Sequence, residues 1–222
     1  MRHRIGLAAI LTALLAALLA AAPAAAQFRA PVTVNFDDMN PGEGPRHFTC
    51  GMTGTGAQPK WVIEEDRIKA KVLAQRSADT VPDRSPLCLY DLLRARNVEV
   101  SVVFKVLSGT VDPSAGIVVR ALDPLTYYVV RADVKRNRVA LVRMVGGSEN
   151  EVRSGSATLA LDRWTKLKLR ITRERFFILV DDKPVFDVVE DAHNQPGRVG
   201  LWTRADSQVQ FDDLIVAAGR ED

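Results

Sequence analysis

Val98-Glu-Val-Ser-Val-Val-Phe-Lys-Val106 decides the class of this protein. Val98, Val100, Val102, Phe104 and Val106 share one parity, Glu99, Ser101 and Lys105 hold the other, and Val103 is the exception. Side chains on a strand alternate faces with a period of two, so this segment is a strand with one side in a core and the other in water. Trp164-Thr-Lys-Leu-Lys-Leu-Arg-Ile171 repeats the pattern, with Leu167, Leu169 and Ile171 set against Lys166, Lys168 and Arg170.

Working outward, further short strands are predicted at 32–36, 47–52, 61–65, 67–73, 87–90, 115–121, 127–132, 138–144, 176–180, 185–189, 198–203 and 209–216. Turn signals separate them: Asn40-Pro41-Gly42, Asp123-Pro124, Lys135-Arg136-Asn137, Gly146-Gly147, Asp181-Asp182-Lys183 and Gln195-Pro196-Gly197. Beyond residue 27 no segment longer than about ten residues holds a helical period, which excludes alternating βα units. The class is all-β. Many short antiparallel strands imply a two-sheet antiparallel β-sandwich of jelly-roll type, with a barrel as the alternative.

The first 26 residues read differently. Met1 to Arg4 carries two arginines, residues 5–22 are uncharged and almost all Ala, Leu and Ile, and Pro23 precedes Ala24-Ala25-Ala26. This is the pattern of a signal peptide at 1–26 cut before Gln27, leaving a single domain at 27–222. An uncleaved anchor is the alternative, since the apolar run comes close to bilayer length. The expected location is periplasmic or extracellular, with no stable membrane insertion after cleavage. Two of the 30 Lys+Arg leave with the leader, so 28 basic side chains face 27 acidic ones. So even a balance offers no global field for nucleic acid.

Cys50 and Cys88 are the only cysteines. In an oxidising compartment they form a disulfide; the alternative is two buried thiols acting as small apolar residues. Neither has metal-knuckle or redox-motif spacing.

Three stretches carry a resemblance: Trp164 to Arg170 followed by Phe176-Phe-Ile-Leu-Val-Asp-Asp-Lys-Pro-Val-Phe186; Gly197-Arg-Val-Gly-Leu-Trp-Thr-Arg-Ala-Asp-Ser207; and Phe211-Asp-Asp-Leu-Ile-Val216. Ala115-Gly-Ile-Val-Val-Arg120 and Tyr127-Tyr-Val-Val-Arg-Ala132 belong with them. Together they resemble the concanavalin A-like, laminin-G-like jelly rolls of exported bacterial proteins. The nearest group is the domain of unknown function labelled a 3-keto-disaccharide hydrolase or family 16 glycoside hydrolase-like domain. The resemblance implies architecture more than activity. Family 16 glucanases set their acids in a Glu-x-Asp-x-x-Glu strand, which is absent here. Glu149 and Glu151 have suitable parity but follow Gly146-Gly147 and read as a hairpin end.

No nucleophile elbow, His-Glu-x-x-His or phosphate-binding glycine motif occurs, and His47 and His193 read as isolated loop residues. Two acidic pairs are more informative. Asp37-Asp38 ends the first predicted strand and Asp212-Asp213 lies inside the last, so in a regular strand either Asp212 or Asp213 points inward. A buried carboxylate demands a partner. A structural Ca²⁺ held by Asp37, Asp38, Asp212 and Asp213 would satisfy it; an Arg partner or a bulge is the metal-free alternative. No other cofactor is implied.

Parity also places Arg120, Tyr127, Arg131, Arg143, Trp202 and Arg204 away from the core. Aromatic rings stack on the apolar face of a sugar ring while guanidinium groups bond hydroxyls or carboxylates, so an open face of this kind suits a glycan or sugar-like ligand. Val118, Val129 and Leu141 share the assigned parity and point instead to a face covered by a loop. The leading expectation is an exported, non-catalytic carbohydrate-binding module. The alternatives are a glycoside hydrolase acting on 3-keto-disaccharides or related glycosides, and an envelope structural or protein-interaction domain.

Overall fold

The alternating segments form strands in the computed structural model, which describes residues 28–220. The leader expectation falls on residues 1–26, outside the described ones. Among the described residues there is no helix, and fifteen strands run in the order β1 Val32–Val34, β2 Phe48–Thr53, β3 Trp61–Asp66, β4 Ala70–Gln75, β5 Ser85–Ala95, β6 Val98–Ser108, β7 Ser114–Asp123, β8 Thr126–Asp133, β9 Arg138–Val145, β10 Ser148–Ser156, β11 Thr165–Thr172, β12 Arg175–Val180, β13 Lys183–Val189, β14 Gly197–Thr203 and β15 Gln208–Ala218.

Two antiparallel sheets stack as a β-sandwich. One has the order β13-β12-β11-β6-β15-β4-β3 with β1 also paired to β15; the other runs β10-β9-β8-β7-β14-β5-β2. Val98, Val100, Val102, Phe104 and Val106 of β6 meet Leu167, Leu169 and Ile171 of β11 in one interior, opposite Ile117, Val119, Tyr128, Val130, Leu141, Val199 and Leu201 from the second sheet. On β6 and β11 these rows are the ones that period two assigns inward.

The second sheet has a further apolar cluster on its other face. Leu87, Leu89, Val118, Tyr127, Val129, Val142, Met144 and Trp202 are all buried there. The sheet curls over this face, so that the Thr53 hydroxyl on edge strand β2 bonds the Pro124 carbonyl (2.5 Å) and lies 2.8 Å from the Tyr127 hydroxyl, far along the sheet order. A one-faced sheet thereby acquires two buried faces.

Strand β10 departs from the sequence reading. Glu149 and Glu151 do lie at the end of the β9–β10 hairpin, but inside edge strand β10, paired with Met144 and Val142 of β9 just before a register shift between Glu151 and Arg153. Ser148-Glu-Asn-Glu-Val-Arg-Ser-Gly-Ser156 has no apolar alternation because an edge strand with mostly exposed side chains needs none. Beside it, Gly155 lets β10 approach β13 of the other sheet: a Cβ there would sit 2.8 Å from Val185 Cγ1.

Cys50 and Cys88 are directly paired across β2 and β5 and form a disulfide. It fastens an edge strand to its single neighbour and closes a loop spanning 38 residues. Replacing both cysteines with serine should lower unfolding free energy by about 3–4 kcal/mol on the loop-entropy model, measured by urea denaturation. An unchanged midpoint would show that β2 is held by its ladder alone.

Candidate functional site

A β-bulge governs where the expected sugar-binding residues lie. Arg120 adopts φ 51°, and the β7–β8 register shifts between Val119 and Asp123. The bulge adds one residue relative to β14 and two relative to β8; Arg120 turns inward, against the parity expected for it, and Ala121 takes the curled face instead. Arg120 is fully buried, donates to the carbonyls of Arg96, His193 and Arg173, and lies over the Phe176 ring. Burial lowers its pKa to about 10, which still leaves it charged at neutral pH.

Tyr127 and Trp202 share a face as expected, but that face is not open: their exposures are 0% and 1%. The Tyr127 pKa is raised by burial, with Thr53 and the Trp202 indole as opposing hydrogen-bonding neighbours. The indole N–H meets no acceptor at full hydrogen-bond geometry, so its contact with Tyr127 is a weak one. Arg131, also nearly buried, holds Glu149 at 2.8 Å, and Arg204 holds the other oxygen of the same carboxylate at 2.8 Å. Arg138 grips Glu151 with both terminal nitrogens, at 2.9 and 2.8 Å. Burial raises the Glu151 pKa, but bonds from Ser154 and Arg138 outweigh it and hold the carboxylate below its ordinary value. The arginines and glutamates of this face therefore pair with each other.

Arg143 belongs elsewhere. It has the parity of Leu141, on the opposite face from Trp202, where it bonds Glu190 at 2.7 Å. The Tyr128 hydroxyl donates to the same Glu190 oxygen at 2.8 Å and accepts from the His193 backbone N–H, while the His193 ring stacks on Tyr128. His193 is thus part of a buried polar knot that ties the 190–196 loop to the sheet.

The acidic pairs partly converge. Because β1 pairs with β15, Asp37 comes near Asp212 and Asp213, its Oδ1 accepting from the Lys71 backbone N–H at 3.2 Å. Asp38 points away, exposed and paired with Arg46. At Asp213 (φ 49°) a second bulge turns that side chain outward, and β15 there exchanges β4 for β1 as its partner. Asp212 stays buried. Lys69 supplies the counter-charge, 2.6 Å from Asp213 and 3.7 Å from Asp212. Among the described residues no group of three or more His, Cys, Asp or Glu is arranged to hold a metal ion. Burial, with the Asp213 and Asp37 carboxylates, pushes the Asp212 pKa up to about 6 against opposition from the Asp213 backbone N–H and Lys69.

An open groove of about 850 Å³ lies at one margin of the sandwich, where edge strands β10 and β13 approach. The β8–β9 turn contributes Arg136 and Asn137, the end of β10 contributes Ser156 to Thr158, and Arg163 enters from the following loop. The β12–β13 turn adds Asp181 and Lys183, with Val180, Pro184 and Val185 as an aliphatic wall. Asn137 Oδ1 accepts from the Leu159 backbone N–H at 3.0 Å, which orients its amide. In the sequence these residues are turn punctuation. Their signal is that two turns, Lys135-Arg136-Asn137 and Asp181-Asp182-Lys183, are densely charged; their adjacency depends on which strands end at one edge.

No protein-family model matches the chain, and no curated protein matches it in sequence. Solved structures match in fold. The carbohydrate binding module CBM66 from Bacillus subtilis is similar over 76% of this chain and 93% of its own, with TM-score 0.60 and 18% identity. Domain 4 of AbnA, a GH43 extracellular arabinanase from Geobacillus stearothermophilus solved in complex with arabinotriose, is similar over 87% of this chain and 93% of its own, with TM-score 0.55 and 14% identity. Protein SO2946 of unknown function from Shewanella oneidensis MR-1 covers 89% of this chain and 91% of its own, with TM-score 0.55 and 13% identity. At these identities the likeness establishes the two-sheet jelly-roll sandwich.

Two outcomes follow from the burial. Trp202→Ala empties a closed cluster and should cost about 3–5 kcal/mol of stability, read by chemical denaturation; a loss below about 1 kcal/mol would mean that the face is open. For Asp212, the folded pKa lies above the unfolded one, so its stabilising contribution is complete below about pH 4 and lost as pH rises through about 6. Asp212→Asn should therefore raise stability at pH 7 by on the order of 1–2 kcal/mol and leave it little changed at pH 4. A parallel offset at both pH values would refute the shifted pKa.

Proposed function

We propose that this chain is an exported glycan-binding module whose ligand lies in the groove between β10 and β13. The observation that carries the reading is the groove itself: about 850 Å³, open, with an aliphatic wall facing several hydrogen-bonding side chains. Ligand sites combine apolar lining with a few placed polar groups, and a pyranose or furanose ring presents both kinds of surface. Support from the fold is general: carbohydrate binding is named for one similar structure and a bound arabinotriose for another. Export is supported by the leader-type sequence and by the disulfide, which persists in oxidising compartments. No helix of the described residues is long and apolar enough to cross a membrane.

The chemistry of the groove favours binding over hydrolysis. Glycoside hydrolysis uses two carboxyl groups flanking the bond, one of them a protonated acid. The lining has a single carboxylate, Asp181, which is occupied by Arg163 at 2.6 Å and by the Lys166 backbone N–H at 2.9 Å. Asp212 has the raised pKa of an acid but lies under Lys69 and is not in the groove.

The test is a glycan array on the exported protein, run beside a release assay on ordinary and 3-keto glycosides. Binding without turnover is expected, and Ser156→Trp, which fills the groove from the end of β10, should abolish the signal without changing the melting temperature. Turnover would favour the hydrolase, and neither binding nor turnover the interaction domain.

A further inference from the structure

We infer that the groove selects anionic glycans, meaning saccharides that carry carboxylates or sulfate esters, an inference that rests on the glycan-binding reading above. The first observation is the sign of the lining: Arg136, Arg163 and Lys183 against Asp181 alone. The acids that hold Arg136 are Asp133 at 2.6 Å and Asp112 at 3.1 Å, and neither lines the groove. Asp133 is buried and Asp112 nearly so. Both bond the same nitrogen, Nη1, and the Arg136 side chain stays half exposed in the lining. Arg163 is held by Asp181 at 2.6 Å, an acid that does line the groove and is itself anchored by the Lys166 backbone N–H. The neighbouring Asp182 is taken by Lys166 at 3.0 Å, which leaves Lys183, among the described residues, the one cation of the lining without a carboxylate partner.

The second observation concerns what the lining lacks. It contains no aromatic side chain; its apolar wall is Val180, Pro184 and Val185 with Ala157. Neutral sugars gain much of their affinity by stacking on rings, and aliphatic side chains supply only area. In a groove without rings, charge-assisted hydrogen bonds from oriented guanidinium groups, and the point charge of a lysine, are the strong interactions available. They select carboxylate and sulfate oxygens over hydroxyls. This local excess stands out because the chain as a whole is nearly neutral once the leader is set aside.

The experiment is isothermal titration of the exported protein with four ligands: oligogalacturonate for the carboxylate source, heparin-derived oligosaccharide for the sulfate source, carboxyl-reduced oligogalacturonate as the neutral match, and polyglutamate as a polyanion that is not a glycan. At least one anionic oligosaccharide should bind, the reduced one at least about tenfold more weakly, and affinity should fall as salt is raised. Lys183→Ala and Arg163→Gln should each weaken binding by on the order of tenfold with the melting temperature unchanged. Lys168→Ala, on a lysine paired with Glu99 outside the groove, should have no effect. Equal binding of the reduced oligosaccharide, lost in Ser156→Trp, would overturn the anionic selectivity while leaving the glycan-binding reading intact. Polyglutamate binding as tightly as the oligosaccharides would overturn it as well. Absence of binding to all four, with a blank glycan array, would overturn both.

Discussion

A guanidinium buried without a carboxylate must find backbone acceptors, and the way Arg120 finds them shapes the second sheet. Its three carbonyl partners come from the β5–β6 turn, the 190–196 loop and the β11–β12 turn. Reaching them requires the inward face, which period two denies to residue 120, so the backbone takes one left-handed residue and the parity of β7 flips beyond it. β14 must pass close to this bulge. It does so at Gly197, where a Cβ would lie 2.3 Å from the Arg120 carbonyl carbon. A larger residue would part the two strands. Past the bulge the β7–β8 hairpin is directed over the sheet, and Pro124 and Tyr127 come within reach of Thr53 on β2. The polar knot of Arg120, Tyr128, His193, Glu190 and Arg143 and the closure over Trp202 are linked through this one change of direction.

Regular alternation is legible in the sequence wherever a strand borders a core. β6 and β11 follow it residue by residue, and the pairing of first and last strands brings Asp37 to Asp212 as the acidic pattern suggests. Legibility fails where a local event changes parity or where burial does not drive the pattern. Nothing in Val118-Val119-Arg120-Ala121 announces that the third residue will be left-handed, since non-glycine residues seldom take that conformation. In the structure that conformation accompanies three carbonyl bonds made by the buried guanidinium. Val118 and Val129 do suggest a covered face, and it is covered. Parity alone groups Leu141 and Arg143 with that face, because the register of β9 is not written in its residues; pairing with β8 sets Leu141 opposite Val130 and Arg143 opposite Tyr128, on the core side. β10 is unreadable for the opposite reason, as an edge strand rich in Glu, Ser and Gly leaves no apolar trace.

Charge pairing divides the surface in a way that composition conceals. On the curled face, Arg131 and Arg204 share Glu149 while Arg138 holds Glu151. On the outer side of the first sheet, Lys105 meets Asp66 and Lys69 meets Asp213, with Trp164 lying against both ammonium groups. Bonds of these kinds satisfy their own donors and offer little to a ligand, because an incoming hydroxyl would have to replace a charged acceptor that is already in place.

The same pairing identifies where recognition can occur. Both faces of one sheet are buried and the outer face of the other is laced with ion pairs, which leaves the margins of the sandwich. In the groove at one margin Arg136 and Arg163 are also ion-paired, through Nη1 and Nη2 respectively, and Lys183 is the cation of the lining without a carboxylate partner among the described residues. At one margin Gly155 lets β10 and β13 touch, and the turns that end beside this contact have no core to serve. Asp133, Asp112 and Asp181 hold Arg136 and Arg163 there by ion pairs. The orientation so imposed serves the fold where buried Asp133 needs a counter-charge, and adds little stability at the more exposed Arg163–Asp181 pair. It does lower the entropy lost when a ligand is bound, and that is the property expected of a recognition surface carried by loops on a rigid scaffold.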